Sequence, residues 1–360
     1  MSLTTGVRAG APQLSASRRH ASLALLLLVG LSVVSLFVGV ATGAAPIAPA
    51  RVLEILLDGG APEEMGRPAY DANLILNIRL PRVVLGFEVG AALAVSGALM
   101  QGLFRNPLAD PALIGVSSGA GLAAAASIVL GGKWMSNLFW NSAALPVSAF
   151  LGGLASTSFI YAVSTREGRT SVATMLLAGV GFGAFCGALT GLLAYWSNDQ
   201  QLRDLTFWSL GSLNGATWSK ATTITPGILP LAVLTPLLGK SLNALALGES
   251  EAFHLGVRVQ LVKTLVIALV ALAVGLSVAT AGVIGFVGIV APHTIRLLFG
   301  PDNRLLLPAA ALLGGAALVG ADSLARTLVA PAELPIGVIT SAIGAPFFLW
   351  LLLSRSRGMF

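Results

Sequence analysis

The chain has 360 residues, 56% of them hydrophobic and only 10% charged, with a mean hydropathy of +0.87. Soluble domains carry roughly 45–50% apolar and about 25% charged residues, so a water-soluble globular fold is excluded. The net charge of +6 comes without any basic run interleaved with aromatics, so it does not point to nucleic acid; basic residues beside membrane spans are expected on their own account.

Ten apolar stretches follow one another, at 21–43, 83–104, 112–132, 142–164, 170–196, 222–239, 259–281, 282–299, 305–325 and 335–353. A helix needs about 20 apolar residues to cross the hydrocarbon of a bilayer. Barrel strands would alternate apolar and polar residues over about 10 positions, and these stretches do not. The expected fold is all-α: a polytopic integral membrane protein with ten transmembrane helices. One domain covers 21–354, between an N-terminal tail, 1–20, and a C-terminal tail, 355–360. Arg18, Arg19 and His20 ahead of Ala21–Gly43 resemble the start of a signal peptide, but a secretory apolar core is about 7–15 residues long. The stretch is read as a retained first span.

The second span carries Gly86, Gly90, Ala94, Ala98 and Gly102, one small residue every four, on one slowly drifting helix face. In lipid such a face lets helices pack closely. Glu88 lies two turns in, and an intramembrane acid is functional by default. It either faces a cavity and meets a cationic ligand group or pairs with another helix. The fifth span repeats the small-residue pattern as Gly179, Gly183, Gly187 and Gly191, a pathway wall or subunit interface if not internal packing. Cys186, the single cysteine, excludes an intrachain disulfide and a cysteine-based metal cluster. The seventh and eighth stretches are fused over some forty residues, so a tight turn near Ala281-Gly282 must divide them.

An even number of spans puts both termini on one side. Lysine and arginine favour a cytoplasmic N-terminus. The long gaps Ala44–Pro81 and Ser197–Ala221 then lie outside and Lys240–Arg258 inside. Within the inner gap, about 242–257, Glu249 and Glu251 open a short helix, favourable at the positive end of its dipole. Gly256 stops it, and Ala252, Phe253 and Leu255 give it an apolar side. This is a docking element. A Walker A loop requires Gly-x-x-x-x-Gly-Lys-[Ser/Thr]. The nearest string, Gly239-Lys240-Ser241, has Leu234 at the first glycine position, so the chain carries no phosphate cradle of this kind.

Leu247-Gly248-Glu249-x-x-Ala252-x-x-Leu255-Gly256-Val257 resembles the cytoplasmic coupling motif of the FecCD family, the permease subunits of ABC importers for vitamin B12, ferric siderophores and haem. Other motifs follow in the family's order: Arg79-Leu80-Pro81-Arg82, Ser96-Gly97-Ala98-Leu99-Met100-Gln101, Asn106-Pro107-Leu108-Ala109-Asp110-Pro111, Gly115-Val116-Ser117-Ser118-Gly119, Gly285-Phe286-Val287-Gly288 with Pro292-His293, Ala321-Asp322, Glu333-Leu334-Pro335-Ile336-Gly337-Val338 and Gly344-Ala345-Pro346. The likeness covers nearly the whole chain after residue 75. It implies a type II ABC importer permease fold, a homodimer, two copies of an ABC ATPase subunit holding ATP and Mg, and a periplasmic binding protein, all at the bacterial inner membrane. The chain itself binds no cofactor.

Residue by residue, the resemblance implies that Gly248, Glu249, Glu251, Ala252, Leu255 and Gly256 dock on the ATPase. Arg79, Arg82 and Arg326 would meet glutamates of the binding protein, a bidentate role that suits arginine. Arg82 could instead snorkel, and Arg326 could pair with Asp322 one turn away. Asn106, Leu108, Ser171 and Thr174 would form the cytoplasmic gate, although Asn106-Pro107 is also an ordinary turn signal. The outer segment Asp199–Trp218 resembles haem permeases more than B12 permeases, so haem is the expected cargo, with a ferric siderophore next. The rival class is an ion-driven secondary transporter using Glu88 and Asp322 as proton carriers; no paired relay at mid-depth supports it.

Overall fold

In the computed structural model, which describes residues 12–58, 67–134 and 143–356, the backbone is helical almost throughout. Apolar surroundings leave no water to satisfy N–H and C=O groups, so the chain pairs them along its own helices. The elements are α1 (Pro12–Ala41), α2 (Pro49–Asp58), α3 (Arg67–Asn73), α4 (Leu80–Leu103), α5 (Val116–Trp134), α6 (Ala144–Ser164), a minimal hairpin of β1 (Thr165–Arg166) and β2 (Arg169–Thr170), α7 (Val172–Trp196), α8 (Asp199–Ser209), α9 (Trp218–Leu247), α10 (Glu249–His254), α11 (Val259–Ala281), α12 (Val287–Phe299), α13 (Asn303–Thr327) and α14 (Ile336–Ser356). The hairpin pairs Thr165 with Thr170 and Arg166 with Arg169.

Among the described residues, seven helices are long and apolar enough to cross a membrane: Ala21–Ala41 of α1, the run Ala69–Leu103, α6, α7, α9, α11 and α13. At the third, eighth and tenth expected spans stand shorter apolar helices, Val116–Gly131, Val287–Phe299 and Ile336–Trp350. α4, α11 and α13 form the centre; α7 is the least buried of the seven. The small face of α4 packs internally. A Cβ on Gly90 would collide with the carbonyl of Gly314 in α13, and one on Gly97 with the carbonyl of Gly288 in α12.

Several expected boundaries move. The second span begins far before residue 83, because α3 runs into α4 through a π-turn, Leu74–Arg79. Pro81 explains the register. It has no N–H, so Leu76 O, five residues back, is left free and accepts from Trp218 Nε1 at 2.9 Å. α9 continues to Leu247 through Pro226, Pro230 and Pro236, so residues 242–247 belong to that helix and only Glu249–His254 form the separate inner helix. The division at Ala281-Gly282 is where expected. Gly282 has φ +71, and a Cβ there would collide with Trp208 O. Described α1 includes Pro12–His20 ahead of the candidate span Ala21–Ala41, and α14 is described to Ser356; residues 1–11 and 357–360 lie outside the described residues.

Candidate functional site

At one end of the bundle, α10 hangs between α9 and α11. Its N-cap, Gly248, has φ +134, and a side chain there would run into the Glu251 carboxylate. Gly256, at φ +83, follows its last turn. Ala252 is fully buried and anchors the helix; Phe253 and Leu255, 69% and 65% exposed, point away from the bundle. Glu249 does not face solvent alone, since its Oε2 is 2.7 Å from Lys263 Nζ on α11. α9 is clamped just before α10: Asn243 Nδ2 donates to Asp302 Oδ1 at 2.6 Å, and Asn243 Oδ1 accepts from Asn303 N and Nδ2 at 2.9 and 2.8 Å. Burial pushes the Asp302 carboxyl up, but hydrogen bonds from Arg304 N and Asn243, with the Arg304 charge, outweigh it and hold the group below the ordinary carboxylate value.

The expected gate residues sit in local motifs at this same end. Ser171 caps α7, accepting from Thr174 N at 3.3 Å and Thr174 Oγ1 at 3.0 Å. Asn106 accepts from Leu108 N at 3.0 Å, closing a turn after α4. The helix-cap and turn roles are therefore real, and any gating role is additional to them.

At the opposite end the three arginines do not present free guanidiniums. Arg79, Arg82 and Arg326 are 4%, 8% and 5% exposed. The last carbonyls of a helix have no intrahelical partner, and two arginines fill that need for α1. Arg79 donates to Val40 O and Ala41 O, both at 3.1 Å, and to Ala45 O. Arg326 donates to Gly39 O and Thr42 O at 3.0 and 3.1 Å. Arg82 is forked onto Asp322 and reaches Glu333 at 3.0 Å, and Arg326 pairs with the same Asp322 at 2.9 Å. In this arrangement all three guanidiniums brace the chain internally, and any docking on a partner's glutamates is additional to that role. Arg326 takes its alternative pairing with Asp322, and Arg82 is bonded rather than snorkelled.

Glu88 pairs with another helix: its Oε1 accepts from Thr225 Oγ1 of α9 at 2.6 Å, and its Oε2 is buried without a hydrogen bond. The α7 stripe divides. Gly179 lies against Leu113 O and Gly183 near Ser118, whereas a Cβ on Gly187 or Gly191 would meet nothing. Leu177, Val180, Phe185, Tyr195 and Trp196 extend this open face. Sequence reasoning missed Lys263, Gln260, Asn243 and Glu333. A lysine just inside an apolar span is itself a signal, and it would have singled out Lys263.

The chain matches the FecCD transport family over residues 21–354. It is 51% identical over 283 residues to the hemin transport system permease protein HmuU of Yersinia pestis, covering 79% of this chain and 84% of that protein. It is 41% identical over 295 residues to the cobalamin import system permease protein BtuC of Halobacterium salinarum, covering 82% and 77%, and 44% identical over 284 residues to the vitamin B12 import system permease protein BtuC of Klebsiella pneumoniae, covering 79% and 83%. A solved inward-facing conformation of a metal-chelate type ABC transporter superposes with a TM-score of 0.79 at 31% identity, over 92% of this chain and 98% of that one. The chain is a multi-pass membrane protein that belongs to the FecCD transport family and has the type II ABC importer permease fold.

Proposed function

We propose that this chain is the conduit of an ATP-driven importer that moves haem, or another iron chelate, from periplasm to cytoplasm. Two copies form the pathway, two ATPase subunits drive it, and a periplasmic binding protein delivers the cargo. On this reading the seven long and three shorter apolar helices all cross the membrane, leaving both termini in the cytoplasm and α10 on the inner face.

The observation that carries this reading is α10. It is too short to cross a membrane, and it is anchored by Ala252 and by the Glu249–Lys263 pair while Phe253 and Leu255 stand outward. A small helix with a fixed root and an exposed apolar tip suits a groove on a partner. Gly239-Lys240-Ser241, the nearest string to a phosphate loop, is part of the continuous helix α9, which supports ATP hydrolysis on a separate chain. The exposed α7 face, with Gly187 and Gly191 open, suits the pathway or the contact between two copies. Haem is favoured by the 51% identity to a hemin permease over 41–44% to cobalamin permeases. Arg203 is exposed and Trp208 half-buried near α8, and such groups suit propionates and porphyrin faces.

Reconstitution tests this. The chain alone in liposomes should accumulate no haemin under any ion gradient; with the ATPase and binding protein, uptake should require ATP. Gradient-driven uptake by the chain alone would refute it. Absorbance titration of the partner binding protein with haemin, cobalamin and ferric siderophores decides the cargo.

A further inference from the structure

Gln260 and Lys263 sit one turn apart on the α10 end of α11, on one face, and both reach the β1–β2 hairpin. Lys263 Nζ donates to Thr170 O at 2.8 Å while it pairs with Glu249 at 2.7 Å. Gln260 Oε1 accepts from Thr170 N at 3.0 Å, and Gln260 Nε2 donates to Thr170 Oγ1 at 2.5 Å. The N–H, carbonyl and hydroxyl of Thr170 are all held by two side chains of α11. Thr170 immediately precedes Ser171, the cap of α7, and its hydroxyl is also bonded to Thr165 across the hairpin at 2.9 Å.

The link is stiff for an electrostatic reason. Exposed ion pairs are weak and slip easily, but Lys263 is only 4% exposed. Its ammonium is a buried charge whose counter-ion is the first residue of α10, and a buried charge that loses its partner is strongly penalised. Glu249 is 45% exposed, so solvent shares the pair at the α10 end, but withdrawal of α10 still leaves the Lys263 ammonium buried without its counter-ion. On the far side of the hairpin, α7 is the least buried of the seven candidate spans and rests mainly on α5 and α6.

We propose that the Glu249–Lys263–Thr170 chain is the joint through which displacement of α10 reaches the first turn of α7, with Lys263 as the positioning residue of the coupling. This rests on the reading of α10 as the ATPase-docking helix. Gln260 keeps the hairpin in register so that the pull on Thr170 is delivered to Ser171 and Thr174 rather than lost in the turn at Glu167 and Gly168.

The test uses the full permease assembled with its ATPase subunits and binding protein in liposomes, with haemin as the probe. The quantity read is ATP hydrolysed per haemin taken up. Lys263→Met should raise this ratio about tenfold, within the range by which residues along a coupling route act; Lys263→Arg should keep it near wild type, and the swap Glu249→Lys with Lys263→Glu should bring it part of the way back. A thiol placed by Thr174→Cys gives a second readout, clean because Cys186 is buried: its labelling should change on ATP addition in wild type and cease to change with Lys263→Met. A merely structural lysine would move neither the ratio nor this response in complexes that assemble. If Lys263→Met does not assemble, Glu249→Gln interrogates the same link and should raise the same ratio. A wild-type ratio and ATP-dependent labelling in whichever of these assembles overturns the joint. Failure of the wild-type complex to import haemin with ATP would instead defeat the functional reading itself.

Discussion

Arg82 and Asp322, 240 residues apart in sequence, meet in a forked ion pair, with Arg82 Nε and Nη2 at 3.1 and 2.8 Å from Asp322 Oδ1. The pair ties α4 to α13, and Arg326 and Glu333 extend it on either side. Asp322 is the hub, because one carboxylate serves two buried guanidiniums.

Asp322→Ala should therefore be far worse than an ordinary substitution. It leaves two buried cations with one carboxylate, Glu333, between them, and breaking a buried pair from one side costs about 3–5 kcal/mol. Thermal unfolding in detergent should show the loss, and added salt should not reproduce it in the wild type, since buried pairs are weakly screened. A loss under about 1 kcal/mol would mean the network carries little of the fold.

Two glycine substitutions should part company. In Gly97→Ala the new methyl must displace the Gly288 carbonyl, and overpacking of that kind costs about 1–3 kcal/mol, more than the roughly 1 kcal/mol that alanine returns in helix propensity. Gly187→Ala meets no atom and should leave the isolated permease as stable or more so. If the open α7 face lines the pathway or the contact between two copies, the same change should lower uptake. Full uptake with raised stability would assign the stripe to lipid instead.

The spans were legible because their signal is solvent-level: long apolar runs, with charges only between them, determine helices whatever the detailed packing. The turn at Gly282 was legible because forty residues cannot make one crossing. Other features needed three dimensions. Pro81 reads locally as a helix start, yet helical backbone is already present from Arg67, and Trp218 from a distant element bonds the carbonyl that proline leaves free. Arg79 and Arg326 read as outward-facing charges; only the end of α1 beside them shows which carbonyls they satisfy. Lys263 is invisible as a joint until Thr170 and Glu249 are brought to its two sides.

Asp302 gives a pH test at the α10 end. Despite burial, its hydrogen bonds hold its pKa below the ordinary value. A carboxylate so depressed contributes stability that is fully present above its unfolded value, about 3.9, and is lost as pH falls through the lower folded value. At pH 7, Asp302→Ala removes the cap of α13 and one arm of the Asn243 clamp, a loss of about 0.5–2 kcal/mol for a cap. The gap between wild type and variant, followed by melting from pH 7 to 3, should narrow only below about pH 4. A gap constant to pH 3 would show that the carboxylate charge contributes nothing to the clamp.

The outward face of α10 separates docking from folding most directly. Phe253 and Leu255 are already exposed in the single chain, so truncating both to alanine should change its stability by no more than about 0.5 kcal/mol each, as at other surface sites. In a partner's groove the same side chains become buried anchors, and such anchors cost about 2 kcal/mol or more when removed, roughly a thirtyfold loss of affinity. Ala252→Leu works from the other side. Ala252 is fully buried beneath α10, so a larger side chain there should push the helix outward and strain the Glu249–Lys263 contact while leaving the exposed tip chemically intact. Titration of each detergent-solubilised variant with the purified ATPase should give a large affinity loss for the Phe253/Leu255 double variant at unchanged melting temperature, and a lowered melting temperature for Ala252→Leu. Unaltered affinity in the double variant would show that the ATPase grips the permease somewhere other than α10.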